Sequence, residues 1–459
     1  MIDELIIVVY LLILLIIGVY LSKRQKTEED FFLAHRKLGS FHAAASVFST
    51  LAGAGTIFAS IALGYTYGIS IMWFFVAGFI GLFIFSFAAP KIKKISDENG
   101  CITLPELLKT KLDRKTSILA SIITIIIFGG FVAVNFLVAG NILKIVFDIP
   151  IIPVIILFAL IVLLYSLLGG FKAVIWTDIF QMFLILIGML MMIFISLDVS
   201  GGFSSIGKLP ENLLDPFGMG LTLIIGLFVS TILAYFASQD LFQRIFATKD
   251  QKTAKKSTYF MGILFVLGGI LFMLVGLFGR ALFPDIMADQ VIPIMTTNLI
   301  PVGLVGFILV SYLAMANSTA DSEMLTVTSN IMRDFICSKD SSKKLTSQSC
   351  VTVSRLILII IAIVSLTVAI LVPNIVNIIL SLYTWLGILG LNVIATLFWK
   401  RTTSNAVFTS LVLGFGSAVV YSFLTKDFET AMIVGLIPAA LSLFIISIFS
   451  SKQKMKSNR

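Results

Sequence analysis

Long runs of apolar residues are the feature that most constrains this chain. One run extends from residue 4 to 21 almost without a polar side chain, and similar runs recur along all 459 residues. A helix needs roughly 20 mostly apolar residues to cross a bilayer, and in lipid a helix satisfies its own backbone polar groups. The chain is therefore expected to be an all-α polytopic membrane protein surrounded mainly by lipid.

The composition supports this reading and excludes several other classes. Hydrophobic residues make up 58% of the chain and charged residues 12%, whereas soluble domains carry roughly 25% charged residues. A disordered chain, a secreted disulfide scaffold and a nucleic-acid-binding domain are excluded. Three scattered cysteines predict neither a metal framework nor a disulfide. No basic region or cleavage site accompanies the first apolar run, so it is expected to remain as a helix.

Thirteen apolar segments are long enough to be read as membrane spans. An odd number predicts that the two ends of the chain lie on opposite sides of the membrane. The predicted segments are 4–21, 41–66, 69–89, 117–145, 150–168, 174–197, 219–239, 258–283, 302–329, 351–372, 374–398, 404–424 and 428–449.

The basic residues give the thirteen segments an orientation. Of the 33 lysines and arginines, 29 fall in the loops after odd-numbered spans and in the tail, and the exceptions are Lys144, Lys208, Arg280 and Lys426. By the positive-inside rule, those loops face the cytoplasm. The sequence thus predicts a multi-pass protein of the cytoplasmic membrane, with its N-terminus outside and its C-terminus inside. The net charge of +9 is then a topology signal, with no nucleic-acid partner implied.

Polar and glycine residues interrupt the second span between Ser46 and Thr56. Gly53 and Gly55 favour local unwinding, which would expose carbonyl oxygens suited to a dehydrated Na⁺. The alternative is close helix packing through small residues, which is common in membranes.

The ninth span carries the densest group of polar residues. Ser318, Asp321 and Ser322 are three or four residues apart and share one helix face. Hydroxyl and carboxylate oxygens suit a hard cation better than a transition metal. Helix packing is an alternative explanation for the serines, but it does not explain Asp321 and Glu323 at membrane depth.

Two further spans carry polar residues with open interpretations. Asp178 lies just inside the sixth span and is either functional or a helix N-cap. Thr231 and Tyr235 in the seventh span either line a solute pocket or belong to an interfacial belt. The sequence contains no Walker loop, catalytic triad or CxxC motif, so an enzyme or an ATP-driven pump is not expected.

Several ordered motifs resemble the sodium:solute symporter family. They extend over about residues 20–425 and comprise RKLGSF (36–41), GGFKAVIWTDIFQ (169–181), QDLFQR (239–244), NSTADSEMLTVTSNIMRD (317–334) and Tyr383-Thr384-Trp385 followed by Gly387. The resemblance implies one transporter domain over 1–459 with a LeuT-like core of two inverted five-helix repeats. The repeats would be 41–197 and 219–398, with one extra span at 4–21 and two at 404–449.

The resemblance also implies cation sites. Its Na⁺ ligands, carried over by position, would be the carbonyls of Ser49, Ala52 and Met315 and the hydroxyls of Ser318 and Thr319. Some members hold a second cation, for which Asp178 and Ser322 match here, while Asp321 stands where those members have serine. At Leu51 the chain also departs from the aspartate of proline permeases and the asparagine of sugar transporters.

These observations together predict a secondary transporter that imports a small polar organic solute, such as the amino acid proline, with Na⁺ as coupling ion. The alternatives are a proton-coupled symporter that uses Asp321 or Asp178, a channel, and a membrane sensor. The expected partners are the solute, Na⁺ and the lipid bilayer. Candidate residues of the solute pocket are Thr56, Asn135, Thr231, Tyr235 and Trp385.

Overall fold

The computed structural model describes residues 2–22, 27–147, 150–337, 346–371, 375–427 and 430–457. Within these ranges the chain forms helices and loops, with one isolated β-bridge between Leu38 and Thr248. In chain order, the α-helices are α1 (Ile2–Ser22), α2 (Glu28–Leu33), α3 (Ser40–Leu51), α4 (Ala54–Tyr67), α5 (Met72–Asn99), α6 (Leu104–Lys109), α7 (Arg114–Phe147), α8 (Ile151–Ser200), α9 (Glu211–Leu214), α10 (Leu221–Ala237), α11 (Gln239–Ala247), α12 (Gln251–Leu282), α13 (Val291–Leu299), α14 (Val305–Asn330), α15 (Ser347–Leu371), α16 (Ile375–Phe398), α17 (Ser404–Thr425) and α18 (Ala431–Ser457).

Side-chain caps explain where several of these helices begin. The Thr27 hydroxyl accepts the Asp30 N–H while the Asp30 carboxylate accepts the Thr27 N–H, which forms a capping box for α2. Asp250 caps α12 and Thr403 caps α17 in the same N-terminal position. These caps satisfy N–H groups that the first turn of a helix leaves without partners.

The number of membrane crossings differs between the sequence and the structure. Among the described residues, nine helical stretches are long and apolar enough to cross a bilayer, or ten if the bent pair α10 and α11 is one span. The thirteen predicted spans are therefore not confirmed as a count. Their boundary residues 372, 374 and 428 lie outside the described residues.

Breaks and polarity account for the difference in count. The continuous stretch Ala54–Asn99 contains the predicted span 69–89 and the second half of the predicted span 41–66, whose first half forms α3. The continuous stretch Ile151–Ser200 covers the predicted spans 150–168 and 174–197, apart from residue 150. The predicted ninth span coincides with α14, which carries many polar residues and is not among these apolar stretches. Nearly all of α14 is buried, so protein and not lipid surrounds its polar groups.

Three helix interruptions position the polar core. Between α3 and α4 the backbone turns extended at Gly53 (ψ 155°), which is the unwinding that the two glycines of this segment predict. α10 and α11 meet at a bend of 51°. Within α8, Gly170 adopts φ 56° and ψ −158°, a conformation that essentially only glycine adopts without strain. Each break leaves backbone groups available next to buried side chains.

The first helix is tied to the ninth predicted span by polar contacts. The Tyr10 hydroxyl accepts hydrogen bonds from Asn317 Nδ2 at 2.7 Å and from Gln181 Nε2 at 3.0 Å. In the first turn of the same helix, the Asp3 carboxylate accepts hydrogen bonds from the backbone N–H groups of Gly303 and Gly306. α1 is therefore anchored to α8 and α14 at two depths.

A charged network closes the opposite end of α14. A π-helical turn, Ile331–Ile336, follows α14, and its Arg333 forms ion pairs with Glu28 at 3.1 Å and with Glu106 at 2.8 Å. The carboxylate of Asp334 accepts hydrogen bonds from Thr103 and Ser121, while burial raises its pKa to about 7. This network joins α2, α6 and α7 to the end of α14.

Two of the three cysteines lie close together in the structure. The sulfurs of Cys337 and Cys350 are 3.2 Å apart, and both are free thiols. They meet because the π-helical turn and the start of α15 lie side by side.

The substitution Gly170→Ala is expected to lower the free energy of unfolding by about 1–3 kcal/mol, because the added methyl group meets a backbone conformation of positive φ. A Cβ there would also lie 2.9 Å from Cδ2 of Phe31. Thermal unfolding in detergent measures the effect. Gly129→Ala in α7 is the matched control, since a Cβ at that position meets open space. Equal melting temperatures for the two variants would contradict the prediction.

Candidate functional site

The break between α3 and α4 lies against the middle of α14. The Ser318 hydroxyl donates to the carbonyl of Ser49 at 2.8 Å, and the Thr319 hydroxyl donates to the carbonyl of Thr50 at 3.0 Å. The same two hydroxyls also contact the carbonyl of Met315, at 3.1 and 3.2 Å. These carbonyls of α3 are available because the last turn of a helix has no N–H partners for them.

The residues implied as Na⁺ ligands meet at this contact. The carbonyls of Ser49 and Met315 and the hydroxyls of Ser318 and Thr319 belong to one hydrogen-bonded group, and Ala52 is the next residue after α3. All five residues are buried. Neutral oxygens from two helices form a donor set suited to a hard monovalent cation.

Gly53 allows the two helices to approach this closely. A Cβ at residue 53 would lie 2.3 Å from the hydroxyl oxygen of Thr319. Any side chain there would displace that hydroxyl from the carbonyls of Thr50 and Met315. Gly53 therefore agrees with both interpretations of this segment, because it permits local unwinding and close packing together.

A fully buried arginine, Arg244, contacts the end of α3 next to the break. The guanidinium of Arg244 on α11 donates to the hydroxyls of Ser46, Thr50 and Ser322 and forms an ion pair with Asp178 at 3.2 Å. Its Cζ lies 5.3 Å from the ring centroid of Phe171, the residue after the break in α8. One side chain thus contacts α3, α8 and α14 at once.

The group implied as a second cation site has a different arrangement. Asp178 faces Arg244 and accepts a short hydrogen bond from Ser46, and Ser322 also accepts from Arg244. Asp321 accepts the Tyr165 hydroxyl at 2.8 Å. The positive charge beside Asp178 and Ser322 therefore comes from the guanidinium.

A cavity of about 360 Å³ adjoins the break. Four of the predicted pocket residues line it, namely Thr56, Asn135, Thr231 and Tyr235. Trp385 does not line it, because its ring packs against Phe415 of α17 with centroids 5.8 Å apart. Its neighbours on α16, Tyr383, Thr384 and Leu386, line the cavity instead.

Some residues of the site were not chosen from the sequence. The sequence marks Arg244 only as part of the QDLFQR motif, and its partner Asp178 lies 66 residues earlier. Asp240 and Glu323 line the cavity but were not among the predicted pocket residues. A carboxylate at membrane depth was the available signal for Glu323, whereas no local pattern pairs Arg244 with Asp178.

Comparison with known proteins gives consistent results. A model of the sodium:solute symporter family matches residues 31–414. A sodium/glucose cotransporter of Vibrio parahaemolyticus is 26% identical over 92% of this chain and 85% of its own. A sodium/proline symporter of Staphylococcus aureus is 29% identical over 89% and 83%. The solved structure of a Na⁺-coupled sialic acid symporter superimposes with a TM-score of 0.86 at 22% identity and covers 98% of both chains.

Removal of the buried guanidinium is expected to destabilise the protein strongly. Arg244→Met should lower the free energy of unfolding by about 3–5 kcal/mol, because Asp178 is left buried without its ion-pair partner. Adding Asp178→Asn to Arg244→Met should recover part of this loss, since the unpaired charge is then removed. Denaturation of the four proteins of this cycle in detergent measures the coupling. Arg401→Met, at an exposed arginine, is the control, and strict additivity would contradict the ion pair.

Proposed function

The chain belongs to the sodium:solute symporter family, and from that premise we propose that it imports a small organic solute with Na⁺ through the sites described above. Membership makes it a Na⁺-coupled symporter of the cell membrane. The inward direction, the ligands and the solute are the proposed parts. The observation that supports this proposal is the contact between the α3–α4 break and the hydroxyls of Ser318 and Thr319.

We propose that the core consists of two inverted repeats, 41–197 and 219–398, within one transporter domain over 1–459. The arrangement of the breaks supports this division. The first repeat begins with the interrupted pair α3 and α4, and the second begins with the interrupted pair α10 and α11. Discontinuous helices at corresponding positions of two halves are typical of inverted-repeat transporters. The extra helices would then be α1 before the core and α17 and α18 after it.

Na⁺ is proposed to bind between α3 and α14. Its ligands would be the carbonyls of Ser49, Ala52 and Met315 and the hydroxyls of Ser318 and Thr319. An ion there replaces hydroxyl–carbonyl hydrogen bonds with direct ion–oxygen contacts, so that the oxygens of both helices point at one charge. The ion would therefore favour the conformation in which the break rests on α14.

The solute is proposed to bind in the adjoining cavity. Thr50 and Gly53 line this cavity, and the carbonyl of Thr50 also accepts the Thr319 hydroxyl beside the ion ligands. Because one backbone segment borders both sites, each ligand stabilises the segment that the other requires, and their binding is coupled reciprocally. The membrane potential supplies about 2.3 kcal/mol per Na⁺ charge at 100 mV.

The pocket residues restrict the range of possible solutes only in part. Thr56, Asn135, Thr231 and Tyr235 offer hydroxyl and amide groups in a cavity that is otherwise largely apolar. Trp385 is proposed to act indirectly, as support for the cavity-lining residues beside it. Two relatives are named for proline and glucose, but Leu51 stands where those types of transporter have polar residues, which speaks against a direct transfer of either solute.

The position of Arg244 affects whether a second cation can bind. Its guanidinium already contacts Asp178 and Ser322, so it supplies at that position the charge that a second cation would bring. Asp321, hydrogen-bonded to Tyr165, remains the residue for the proton-coupled alternative. A second cation at Asp178, Asp321 and Ser322 would require Arg244 to move away first.

Loss of the Ser318 hydroxyl is expected to weaken Na⁺ binding. Ser318→Ala should raise the apparent Kd for Na⁺ about tenfold or more, since a buried ligand is removed and the opposing carbonyl loses its partner. The rise in melting temperature with Na⁺, against K⁺ at constant ionic strength, measures it. Ser311→Ala on the same helix is the matched control, because its hydroxyl donates within its own helix to the carbonyl of Ile308. Equal responses to Na⁺ and K⁺ in the unaltered protein would favour the proton-coupled alternative.

The charge distribution predicts that the end of α18 is cytoplasmic and the start of α1 is outside. In a variant without native cysteines, Ser204→Cys should react with a membrane-impermeant maleimide in intact cells. Gln251→Cys, at the start of α12, should react only after the cells are opened. Both residues are exposed, so access and not burial decides the result. The reverse labelling pattern would overturn the orientation.

A further inference from the structure

Two acidic residues belong to the lining of the solute cavity. Asp240 and Glu323 are both among its lining residues, and the described lining contains no lysine, arginine or histidine. Both carboxylates are at least 96% buried, with exposures of 3% and 4%. Burial of an ionised carboxylate without a partner is costly, so such groups are normally paired.

The surroundings of the two carboxylates differ. Asp240 lies in the first turn of α11, where the N–H groups of a helix terminus stabilise a negative charge. Glu323 lies in the middle of α14, and its Oε2 has no hydrogen-bond partner among the described residues. Of the two, Glu323 is therefore the carboxylate with a buried oxygen that is free to accept from a ligand.

The charges of the surrounding core do not balance either. Four buried carboxylates lie close together, those of Asp178, Asp240, Asp321 and Glu323, whereas Arg244 is the cation that the described residues place among them. That guanidinium already forms its ion pair with Asp178. Arg244 and one Na⁺ at the break would balance two of these four carboxylates.

Aromatic rings surround the same space. Phe74, Phe128, Phe131, Tyr235 and Tyr383 line the cavity, and the rings of Phe131 and Tyr383 meet edge to face with centroids 5.7 Å apart. The faces of such rings attract cations, most strongly where water is excluded. Carboxylate and aromatic rings in one apolar cavity are the usual means of recognising an ammonium group.

We propose that the transported solute carries a positively charged ammonium group, either a protonated amine or a quaternary ammonium, which lies against Glu323 and the aromatic rings. This inference rests on the proposed transport function and specifies its solute. The Thr56 and Tyr383 hydroxyls, 3.4 Å apart at the cavity wall, are available to the rest of the solute. Uncharged sugars and solutes that carry only a carboxylate are excluded by the same charges.

The test compares pairs of solutes that differ mainly in the positive charge. Choline is paired with 3,3-dimethylbutan-1-ol, glucosamine with glucose, and proline with tetrahydrofuran-2-carboxylate. The melting temperature of the full-length protein in detergent is measured with each solute in Na⁺ and in K⁺. At least one ammonium member should raise it in Na⁺, and its partner without the ammonium group should not. A rise from a member without an ammonium group, or from no ammonium member, overturns the inference.

The variant Glu323→Gln keeps the size of the side chain and removes its charge. It should weaken binding of the active ammonium solute about 30-fold or more, because the buried charge partner is lost. Glu323→Asp should retain part of the binding, and Glu98→Gln, at an exposed glutamate, should retain all of it. The response to Na⁺ alone should remain unchanged in Glu323→Gln. If that response disappears, Glu323 serves the ion and the inference is wrong.

The outcomes separate this inference from the proposed function. An ammonium solute that binds equally in Na⁺ and K⁺ would contradict Na⁺ coupling and leave the charge preference intact. An uncharged solute that binds only in Na⁺ would contradict the charge preference and leave the coupling intact. Because the paired solutes are compared on the unaltered protein, the test stands even if Glu323→Gln fails to fold.

Discussion

The buried guanidinium of Arg244 is the interaction on which the polar core depends. It meets the hydroxyls of α3, the carboxylate of α8 and the hydroxyl of Ser322 on α14, so three helices are oriented by one planar cation. Arginine suits this role because its donors lie in a fixed plane and its charge persists in an apolar setting. The break in α8 brings Phe171 against the guanidinium, and the break between α3 and α4 leaves the Thr50 hydroxyl within its reach. The local irregularities and the buried charge therefore stabilise one another.

The proposed ion site and the solute cavity share the segment at which α3 ends. A continuous helix would satisfy its own carbonyls and have nothing to offer α14. The interruption makes the carbonyls of Ser49 and Thr50 available to Ser318 and Thr319, while Gly53 keeps the two backbones close. Proximity of the two sites follows from this geometry, since the residues of the break face α14 on one side and the cavity on the other.

Local signals explain which parts of the structure the sequence could predict. Long apolar runs predicted an all-helical membrane protein, and the glycines at 53 and 55 predicted the interruption that the structure shows. Periodicity could not show that Trp385 faces α17, because its neighbours Thr384 and Leu386 on other faces of the helix line the cavity. The pairing of Arg244 with Asp178 depends on tertiary contact between distant segments, and no spacing rule contains it. The two counts of spans differ for a related reason: α14 was predicted from the sequence as the span 302–329, but its buried polar residues exclude it from the helices that are apolar enough to cross a bilayer.

The anchoring of α1 has a consequence for how the protein is made. Asp3 and Tyr10 find their partners at Gly303, Gly306 and Asn317, roughly 300 residues later in the chain. At a synthesis rate of about 5–20 residues per second, α1 leaves the ribosome on the order of 15–60 s before those partners exist. During that interval its polar groups must rely on lipid headgroups, water or the insertion machinery. Helix α1 therefore completes its contacts long after its own synthesis, and assembly of the core cannot finish until α14 has been inserted.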